Sequence, residues 1–373
     1  MGKDKYSKGS VYQRKDGRWV AQFYVETGKK KYLYRKTEKE AYAALRKALH
    51  EQEQGTLATG PQQTLKVYLE QWLEQVHKPT VRLSTYYSYR GIVHKHLIPC
   101  LGHIQVQRLT PQHVQAFYAG KLKEGLSAKR VRMFHTVLHT ALVNAVKWNL
   151  VARNVCDVVA LPSRKRYEIQ PLTEQQAKRF LQAIQGHKLE ALLTVALVTG
   201  MRRGELLGLR WQDIDLETGS VQIRRSVIRV GGFGLVESEP KTAKARRKII
   251  LPDFVREVLQ RHRTRQQEAR VKAGAQWQEK DIVFCNTHGG YIQPTVLHED
   301  FKRILKKASL PNMRFHDLRH SAATLLLGMG VNPKIVQELL GHSSISMTMD
   351  IYSHVLPSIQ QEAMGKLDDL FGH

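Results

Sequence analysis

The sequence predicts a multidomain α+β protein, and three observations along the chain support this fold class. Aromatic and basic side chains alternate in short extended runs over residues 1–36, and apolar side chains recur at helical spacing over residues 64–148. Helical runs then flank a β-rich stretch at 220–251. We therefore expect a small three-stranded sheet with one helix, a helical bundle, and an α-dominant domain that contains a small β-sheet. The predicted domains are residues 1–55, 64–160 and 170–373.

The N-terminal segment carries the turn and capping signals of a sheet followed by a helix. The turn dipeptides DG at 16–17 and TG at 27–28 separate its extended runs. Thr37 and Glu40 match a capping box, which predicts a helix over 37–54. Eleven lysines and arginines stand against three acids in the first 36 residues, so we expect the sheet to present a basic surface. The predicted strands are 11–14, 19–26 and 31–36.

The second segment has the pattern of a compact helical bundle. It follows a linker at 55–63 that is rich in Gly, Thr, Pro and Gln. Thr64, Thr110 and Ser127 each stand where an N-cap precedes an apolar periodic run. A basic, proline-bearing hinge at 161–166 ends the segment. The predicted helices are 65–76, 83–96, 111–123 and 128–148.

The C-terminal half begins with a second capping box, formed by Thr173 and Gln176. An apolar helix over 189–198 follows and is stopped at Gly200, since glycine favours the left-handed conformation that ends helices. Helical patterns resume after the β-rich stretch and continue to the end of the chain. This mixture predicts an α-dominant domain with a small sheet.

The composition favours a polyanionic partner inside the cell. The 373-residue chain has a formal net charge of +26 and a pI near 10.0, with basic residues along its whole length. Cys100, Cys156 and Cys285 are widely separated, which argues against a zinc site or a disulfide framework and favours a reducing compartment. The sequence predicts no signal peptide and no membrane span, so we expect a cytoplasmic, nucleoid-associated protein without a membrane partner.

Four short motifs of the C-terminal half supply the side chains for phosphoryl transfer without a metal. Arginine donates two hydrogen bonds to a phosphate and stays protonated, and a phenol is able to attack phosphorus. His316 and Arg319 are three residues apart and share one side of a helix, so a proton carrier and a cation meet there. The motifs are TGMRRGEL at 199–206, HDLR at 316–319, LGH at 340–342 and MDIYSH at 349–354.

This ordered set resembles the tyrosine recombinase family, in its phage integrase branch. The resemblance selects Arg202 from the first motif, with Glu205 as the partner that orients it, and pairs Arg202 with Arg319 on the scissile phosphate. It also implies that His316 assists proton transfer and that His342 donates to the phosphate. These roles would place fixed positive charge where the attacked phosphate becomes most negative.

The same resemblance makes Tyr352 the nucleophile, which would form a 3′-phosphotyrosine that a second DNA end displaces without ATP. The leaving 5′ oxygen needs a proton, and Lys241 resembles the family's β-hairpin lysine, its general acid. Lys244 competes for this role, and Arg246 or Arg247 is expected to touch backbone phosphate. No metal and no cofactor are expected.

The resemblance also implies the partners. Residues 1–55 look like an arm-type DNA-binding domain, and residues 64–160 are similar to the family's core-binding domain. We expect double-stranded attachment sites of core and arm type, a homotetramer on DNA, and an excisionase or a host DNA-bending protein as accessory. An apolar stripe on the tail at 356–371 is expected to pack on a neighbouring subunit or on its own domain. The candidate DNA contacts are Arg18, Lys30, Lys31, Lys129, Arg132 and Arg246, with Lys121, Lys123 and Arg130 as further candidates on the bundle.

Three other functions compete with a recombinase that integrates or excises a mobile element. The sequence HKH at 94–96 matches the His-x-His of metal-dependent nicking enzymes, although it ends a helical pattern instead of lying on a strand. A type IB topoisomerase uses the same phosphate chemistry and relaxes DNA without strand exchange. A DNA-binding regulator that has lost catalysis is the third, and the complete set of catalytic side chains argues against it.

Overall fold

The computed structural model describes residues 9–25, 30–53, 60–163, 170–239, 246–342, 344–346 and 348–349, together with Met364 and Phe371. The chain divides into two compact units, Met1–Arg166 and Tyr167–His373. The first unit contains two separate apolar cores, one under the N-terminal sheet and one inside the helical bundle. The multidomain α+β fold class is confirmed.

The N-terminal sheet has the predicted three antiparallel strands, in the order β1-β2-β3. A helix, α1, packs on one face, where Ala21 and Phe23 of the central strand are buried. Thr37 Oγ1 accepts the Glu40 N–H, and the Glu40 carboxylate accepts the Thr37 N–H, so the predicted capping box starts this helix. The elements are β1 (Ser10–Gln13), β2 (Trp19–Tyr24), β3 (Lys30–Arg35) and α1 (Glu38–Glu53).

The helical bundle contains the four predicted helices. Thr64, Thr110 and Ser127 each accept a backbone N–H in the first turn with their side-chain oxygens, as the sequence predicts. Large aromatic side chains, including Trp72 and Phe134, fill the core. The elements are α2 (Leu65–Trp72), α3 (Lys78–Thr80), α4 (Leu83–Ile92), α5 (Ile98–Leu101), α6 (Pro111–Lys123) and α7 (Ala128–Lys147).

The prediction that one bundle helix ends at His96 is wrong. The helical path continues from α4 into α5 through a π-turn, Val93–Leu97, in which the Ile98 N–H bonds to the carbonyl five residues back. Pro99 follows at once. Because a proline ring clashes with the carbonyl four residues back in a regular α-helix, the wider turn lets the helix pass it. A second π-turn, Leu73–His77, joins α2 to α3 before Pro79 in the same way.

The second unit is α-dominant, as predicted, but its described strands form two sheets instead of one. The strands β4, β5 and β8 form a three-stranded antiparallel sheet, and β6 and β7 form a separate hairpin. The hairpin packs on α10, where a Cβ added to Gly204 would overlap Ser226 of β6. In the described strands β6 pairs with β7 and packs closely on α10. The helices are α8 (Glu174–Ala183), α9 (Glu190–Thr199), α10 (Arg203–Leu207), α11 (Asp253–Ala273), α12 (Pro294–Lys307), α13 (Asp317–Gly328) and α14 (Pro333–Leu340). The strands are β4 (Ile214–Asp215), β5 (Ser220–Gln222), β6 (Ser226–Val230), β7 (Gly234–Ser238) and β8 (Lys248–Ile250).

The helix α9 lies at the centre of this unit and is apolar on nearly every side, which explains its burial. It ends at Gly200, whose φ of 60° is left-handed, as the sequence predicts. A Cβ added there would overlap the Leu340 side chain and lie 3.3 Å from Ala322 Cβ. The end of α9 is therefore packed directly against α13 and α14. Among the described residues, no helix combines the length and the apolar character needed to cross a membrane.

We predict that Gly200→Ala destabilises the protein more than Gly186→Ala. Both positions have φ near 60–70°, but a Cβ at Gly186 meets nothing within 4 Å. The control should lose about 1–2 kcal/mol of unfolding free energy from left-handed strain alone. Gly200→Ala should lose about 1–3 kcal/mol more, because its methyl group overpacks the contact with Leu340. Urea unfolding followed by circular dichroism measures the difference. Equal losses in both variants would contradict the packing of α9 on α14.

Candidate active site

Arg202 stands between α9 and α10, where it is the N-cap residue of α10. Its Nη1 donates to Glu205 Oε1 at 2.8 Å, its backbone N–H donates to Glu205 Oε2 at 2.9 Å, and its Nη2 donates to the Gly341 carbonyl at 3.0 Å. Glu205 is buried, while the Arg202 side chain is 37% exposed. The expected contact with Glu205 is therefore present, and it fixes the guanidinium on one side while the other side stays open.

Arg319 reaches the same place from α13. Its Nη1 donates to the Gly200 carbonyl at 2.8 Å, while its buried Nη2 has no hydrogen-bond partner among the residues that the structure describes. Burial, followed by the charge of Arg202, lowers the pKa of Arg319 to about 9, so the guanidinium remains charged at neutral pH. A buried donor without a partner costs about 1–3 kcal/mol, and more when it is charged. The geometry therefore indicates a binding position for an anion.

Three arginines of this site bind carbonyls at the C-terminal ends of helices. Gly200 ends α9 and accepts from Arg319, and Gly341 ends α14 and accepts from Arg202. Arg247 Nε donates to the carbonyl of Leu339, in the last turn of α14, at 2.6 Å. Helix C-termini carry partial negative charge and leave carbonyls without intrahelical partners. Backbone dipoles thus help to hold several like charges close together.

His342 follows Gly341 and lies in the same pocket. Its Nδ1 is 2.8 Å from Thr348 Oγ1, and both residues are buried. Burial, followed by the charges of Arg319 and Arg202, lowers the pKa of His342 to about 3. The ring is therefore neutral at pH 7, and its Nε2 is left for a ligand.

His316 immediately precedes α13 and has helical backbone angles, so it lies on one turn with Arg319, as expected. Its ring stands edge-on to the ring of His320, with centroids 5.4 Å apart. The ring keeps an exposed surface. Partial burial, and then the charges of His320 and Arg319, lower the pKa of His316 below its ordinary value. The His316 ring is therefore neutral at pH 7.

Two of the predicted catalytic side chains, Lys241 and Tyr352, lie outside the described residues. The competing Lys244 lies outside them too. The same holds for the predicted tail helix at 356–371, apart from Met364 and Phe371. The roles of Lys241 and Tyr352 therefore stay predictions.

The sequence leaves Arg246 or Arg247 as the contact with backbone phosphate, and Arg247 belongs instead to the interior of the site. Its side chain is 6% exposed, and its Nη2 donates to Glu205 Oε2 at 3.0 Å. The alternation of side chains along a strand could have predicted this burial. Arg247 lies on the same face as the buried Ile249 of β8, while Arg246 and Lys248 are exposed.

Two further residues that support the site carry no clear sequence signal. Thr348 binds the His342 ring, and it lies in a short run of serine, threonine and methionine without periodicity. Asp317 is fully buried and pairs with Arg314 at 2.8 Å, which fixes the turn that carries His316. Both contacts are local, since Arg314 and Asp317 are three residues apart and His342 and Thr348 are six residues apart.

The candidate DNA contacts on the N-terminal sheet lie in different environments. Lys30 is exposed on the face opposite α1. Lys31 pairs in register with the buried Phe23, so it lies on the half-buried side that faces α1. Arg18 sits beside the β1–β2 turn and forms an ion pair with Asp16 at 2.6 Å.

The candidates on the bundle and near β8 differ in the same way. Lys129 is exposed on α7, whereas Arg132 is half-buried and donates to a backbone carbonyl at 3.1 Å. Lys121 is buried against Glu124 at 2.9 Å and is not a free surface charge. Arg246 is 62% exposed and pairs with a carboxylate at 3.1 Å.

The nicking-enzyme alternative fails on the position of its motif. His94 and His96 lie in the π-turn of a helical bundle and not on a strand, and the His96 ring packs on Phe134 with centroids 4.5 Å apart. Within the described part of the chain, no three His, Cys, Asp or Glu side chains are grouped so that they could hold a metal ion.

The site as a whole gathers guanidiniums and neutral imidazoles from α10, α13 and the end of α14 around one open position. This arrangement on an α-dominant domain defines a phosphoryl-transfer protein that recognises a phosphodiester.

Comparisons with known proteins agree with this class. The phage integrase family profile matches residues 170–358, and the phage integrase N-terminal SAM-like domain matches residues 64–122. A XerC-like tyrosine recombinase of Caldanaerobacter subterraneus subsp. tengcongensis is 32% identical over 366 residues, which cover 93% of this chain and 94% of that protein. The Tn1549 transposon integrase in complex with a circular intermediate DNA has a TM-score of 0.68 at 23% identity, over 80% of this chain and 99% of that one. The lambda integrase tetramer bound to a Holliday junction has a TM-score of 0.55 at 20% identity, over 90% and 95%.

The chain belongs to the phage integrase family of tyrosine recombinases, enzymes that break and rejoin DNA in site-specific recombination. The predicted family is therefore confirmed. The topoisomerase alternative is not favoured, because the relatives are recombinases and integrases.

We predict that His342 makes the folded protein less stable in acid. Its pKa is lowered to about 3 in the folded state, so the unfolded chain binds the proton more tightly and stability falls as the pH drops below about 6.5. At pH 5 this loss amounts to at most about 2 kcal/mol. His342→Asn should reduce the difference in unfolding free energy between pH 7.5 and pH 5 by up to that amount, measured in urea. His298→Asn, at an exposed position of α12, is the control, and an unchanged difference in His342→Asn would contradict the assignment.

Proposed function

We propose that this chain recombines DNA at specific attachment sites, integrating or excising a mobile element, and that Arg202, Arg319, His316 and His342 surround the scissile phosphate. One observation carries the assignment of these roles. Arg319 Nη2 is buried and charged, and it has no acceptor among the described residues. A non-bridging phosphate oxygen would supply that acceptor, and the open side of Arg202 would bind the same group.

In the proposed cleavage step, the Tyr352 phenol oxygen attacks phosphorus and the bond from phosphorus to the 5′ oxygen breaks. His316, neutral in the free site, accepts the phenolic proton. Lys241 gives a proton to the 5′ oxygen, which leaves as a free hydroxyl. His342 and the two arginines stabilise the negative charge on the non-bridging oxygens. The product is a 3′-phosphotyrosine and a free 5′ end.

Rejoining would reverse these steps with a different 5′ end. The 5′ hydroxyl of a second duplex attacks the phosphotyrosine, the new phosphodiester forms, and Tyr352 is released. Four copies holding two duplexes would exchange strands in pairs through a Holliday junction. The lambda integrase tetramer bound to such a junction, which shares this fold, supports this assembly. The apolar tail at 356–371 would dock on a neighbouring copy.

The three predicted domains would divide the work of binding. Residues 170–373 would cut the strand, residues 64–160 would bind core DNA with the exposed Lys129, and residues 1–55 would bind arm-type sites. The family profiles that begin at 64 and 170 support two of these boundaries. An excisionase or a host DNA-bending protein would set the direction. The protein would act on the nucleoid, in the cytoplasm.

The open face of the N-terminal sheet is the proposed arm-binding surface. Lys30 lies 5.3 Å above the Tyr24 ring, and Arg14 and Arg18 lie 5.7 and 5.6 Å above the Tyr34 ring. Aromatic rings that carry cations on an exposed sheet face suit a DNA groove, because the rings orient charges that would otherwise be mobile. The exposed tyrosines of this face are Tyr12, Tyr24, Tyr32 and Tyr34.

We predict that Tyr352→Phe binds DNA with unchanged affinity and forms no covalent adduct, because the variant lacks only the attacking oxygen. Short nicked duplexes tiled across the DNA that flanks the gene serve as substrates, since integrase genes of mobile elements often adjoin their attachment site. Adducts are detected as protein–DNA bands that survive detergent. Tyr291→Phe, which removes a hydroxyl bound to Glu237, is the control and should still form the adduct. An adduct in Tyr352→Phe would reject the nucleophile.

We predict that Lys30→Ala weakens binding to the tightest-bound of these duplexes and lowers the slope of log affinity against log salt by about 1, as expected for one lost phosphate contact. Lys39→Ala removes the same charge from the exposed surface of α1, on the other side of the sheet, and should leave the slope unchanged. Equal effects from both variants would refute the open face as the contact surface.

A further inference from the structure

Arg247 joins three segments that are distant in sequence. It stands directly before β8, its Nη2 donates to Glu205 of α10 at 3.0 Å, and its Nε donates to the Leu339 carbonyl of α14 at 2.6 Å. The side chain is 6% exposed. An arginine is seldom buried to this extent unless it is paired, so its place is set by these partners.

Glu205 is shared between two guanidiniums. Its Oε1 accepts from Arg202 Nη1, and its Oε2 accepts from Arg247 Nη2 and from the Arg202 backbone N–H. Burial alone would raise the pKa of Glu205, but the charges of Arg247 and Arg202 hold it below its ordinary value. Because Arg247 occupies one oxygen, only the other is left for the Arg202 side chain. The Arg202 guanidinium is thereby held in a single orientation, with its Nη2 on the Gly341 carbonyl.

The second contact of Arg247 acts on the segment that carries His342. The Leu339 carbonyl lies in the last turn of α14, three residues before His342. The loop between them is already fixed at Gly341, which has a φ of 67°. A hydrogen bond to Leu339 therefore ties the end of α14 to the same guanidinium that holds Glu205.

We propose that Arg247 is a positioning residue of the recombinase: through Glu205 it orients Arg202, and through Leu339 it fixes the end of α14, so that Arg202 and His342 face one phosphate. This inference rests on the proposed function. The Nε and Nη2 groups of Arg247 donate to protein acceptors, so the proposed role acts through those groups and not through direct contact with the reacting atoms. A lysine at this position cannot replace it, because one ammonium lacks the planar fork that reaches two acceptors in fixed directions.

The test compares Arg247→Met and Arg247→Lys with a matched control, Arg225→Met. Arg225 is 18% exposed and pairs with the buried Asp213 at 2.6 Å, so the control also removes a largely buried ion pair from the same unit. Three quantities are measured on the full chain: the melting temperature, the affinity for the nicked duplex that gives an adduct with the wild type, and the single-turnover rate of adduct formation at saturating DNA.

We expect Arg247→Met and Arg225→Met to lower the melting temperature to a similar extent. Only the Arg247 variants should slow adduct formation, by about 10- to 100-fold, because small displacements of catalytic groups have effects of this size. Their DNA affinity should change little. Adduct formation at the control's rate in both Arg247 variants overturns the proposal. If Arg247→Met fails to fold, the test uses Arg247→Lys, which retains the buried charge. Its single-turnover rate of adduct formation is then compared with that of the control in the same way.

A coupling measurement tests the route through Glu205. If Arg247 acts through that carboxylate, the loss of rate in the double variant Glu205→Gln, Arg247→Lys is smaller than the product of the two single losses. Losses that multiply overturn the proposal. A wild-type chain that forms no adduct on any of the duplexes would instead refute the proposed function, and this inference with it, so the two failures are distinguishable.

Discussion

An excess of buried positive charge is the constraint on which the catalytic unit depends. Arg202 and Arg247 both pair with one buried carboxylate, that of Glu205, which also acts on the charge of Arg319, while the buried Asp317 pairs with Arg314. Like charges at short range in a poorly solvated pocket repel strongly. In the proposed mechanism the missing negative charge belongs to the substrate, and a phosphate would satisfy Arg319 Nη2 and offset the repulsion in one event.

The fold limits this cost through helix ends. Glycine ends both α9 and α14 in the left-handed conformation, so each helix stops abruptly with its last carbonyls directed into the pocket. Those carbonyls carry partial negative charge and have no intrahelical partner, which suits a guanidinium. Because Gly200 also packs directly on Leu340, a side chain at this position would move one helix end away from the other. Packing and electrostatics therefore depend on the same residue.

The order and spacing of residues predicted many of the helices, caps and site residues. The features that were not predicted depend on strand pairing, on a π-turn or on contacts between distant segments. The capping boxes at Thr37 and Thr173 and the helix stop at Gly200 are local, so one stretch of sequence contains the whole signal. The helix past Pro99 was missed because a π-turn leaves no mark in apolar spacing. Alternation alone puts Lys30 and Lys31 on opposite faces of β3, but which of them faces α1 required the pairing of β2 with β3. Alternation along β8 could have predicted that Arg247 is buried on the same face as Ile249. Its hydrogen-bond partners, Glu205 and Leu339, could not be predicted, because they come from distant segments.

The same charge excess governs the two histidines. Burial and the neighbouring arginines keep His342 and His316 neutral while the pocket is without an anion. A phosphate in that pocket acts in the opposite direction, because nearby negative charge favours the protonated form and raises the pKa of an imidazole. A bound phosphate would therefore make each neutral ring a stronger proton acceptor than it is in the free pocket. In the proposed mechanism a neutral His342 would still act, since an imidazole that accepts the Thr348 hydroxyl proton at Nδ1 carries its own proton on Nε2 and would donate it to a phosphate oxygen. In the proposed mechanism His316 must be neutral to accept a proton, so one electrostatic environment would keep both rings in the state that their proposed roles require.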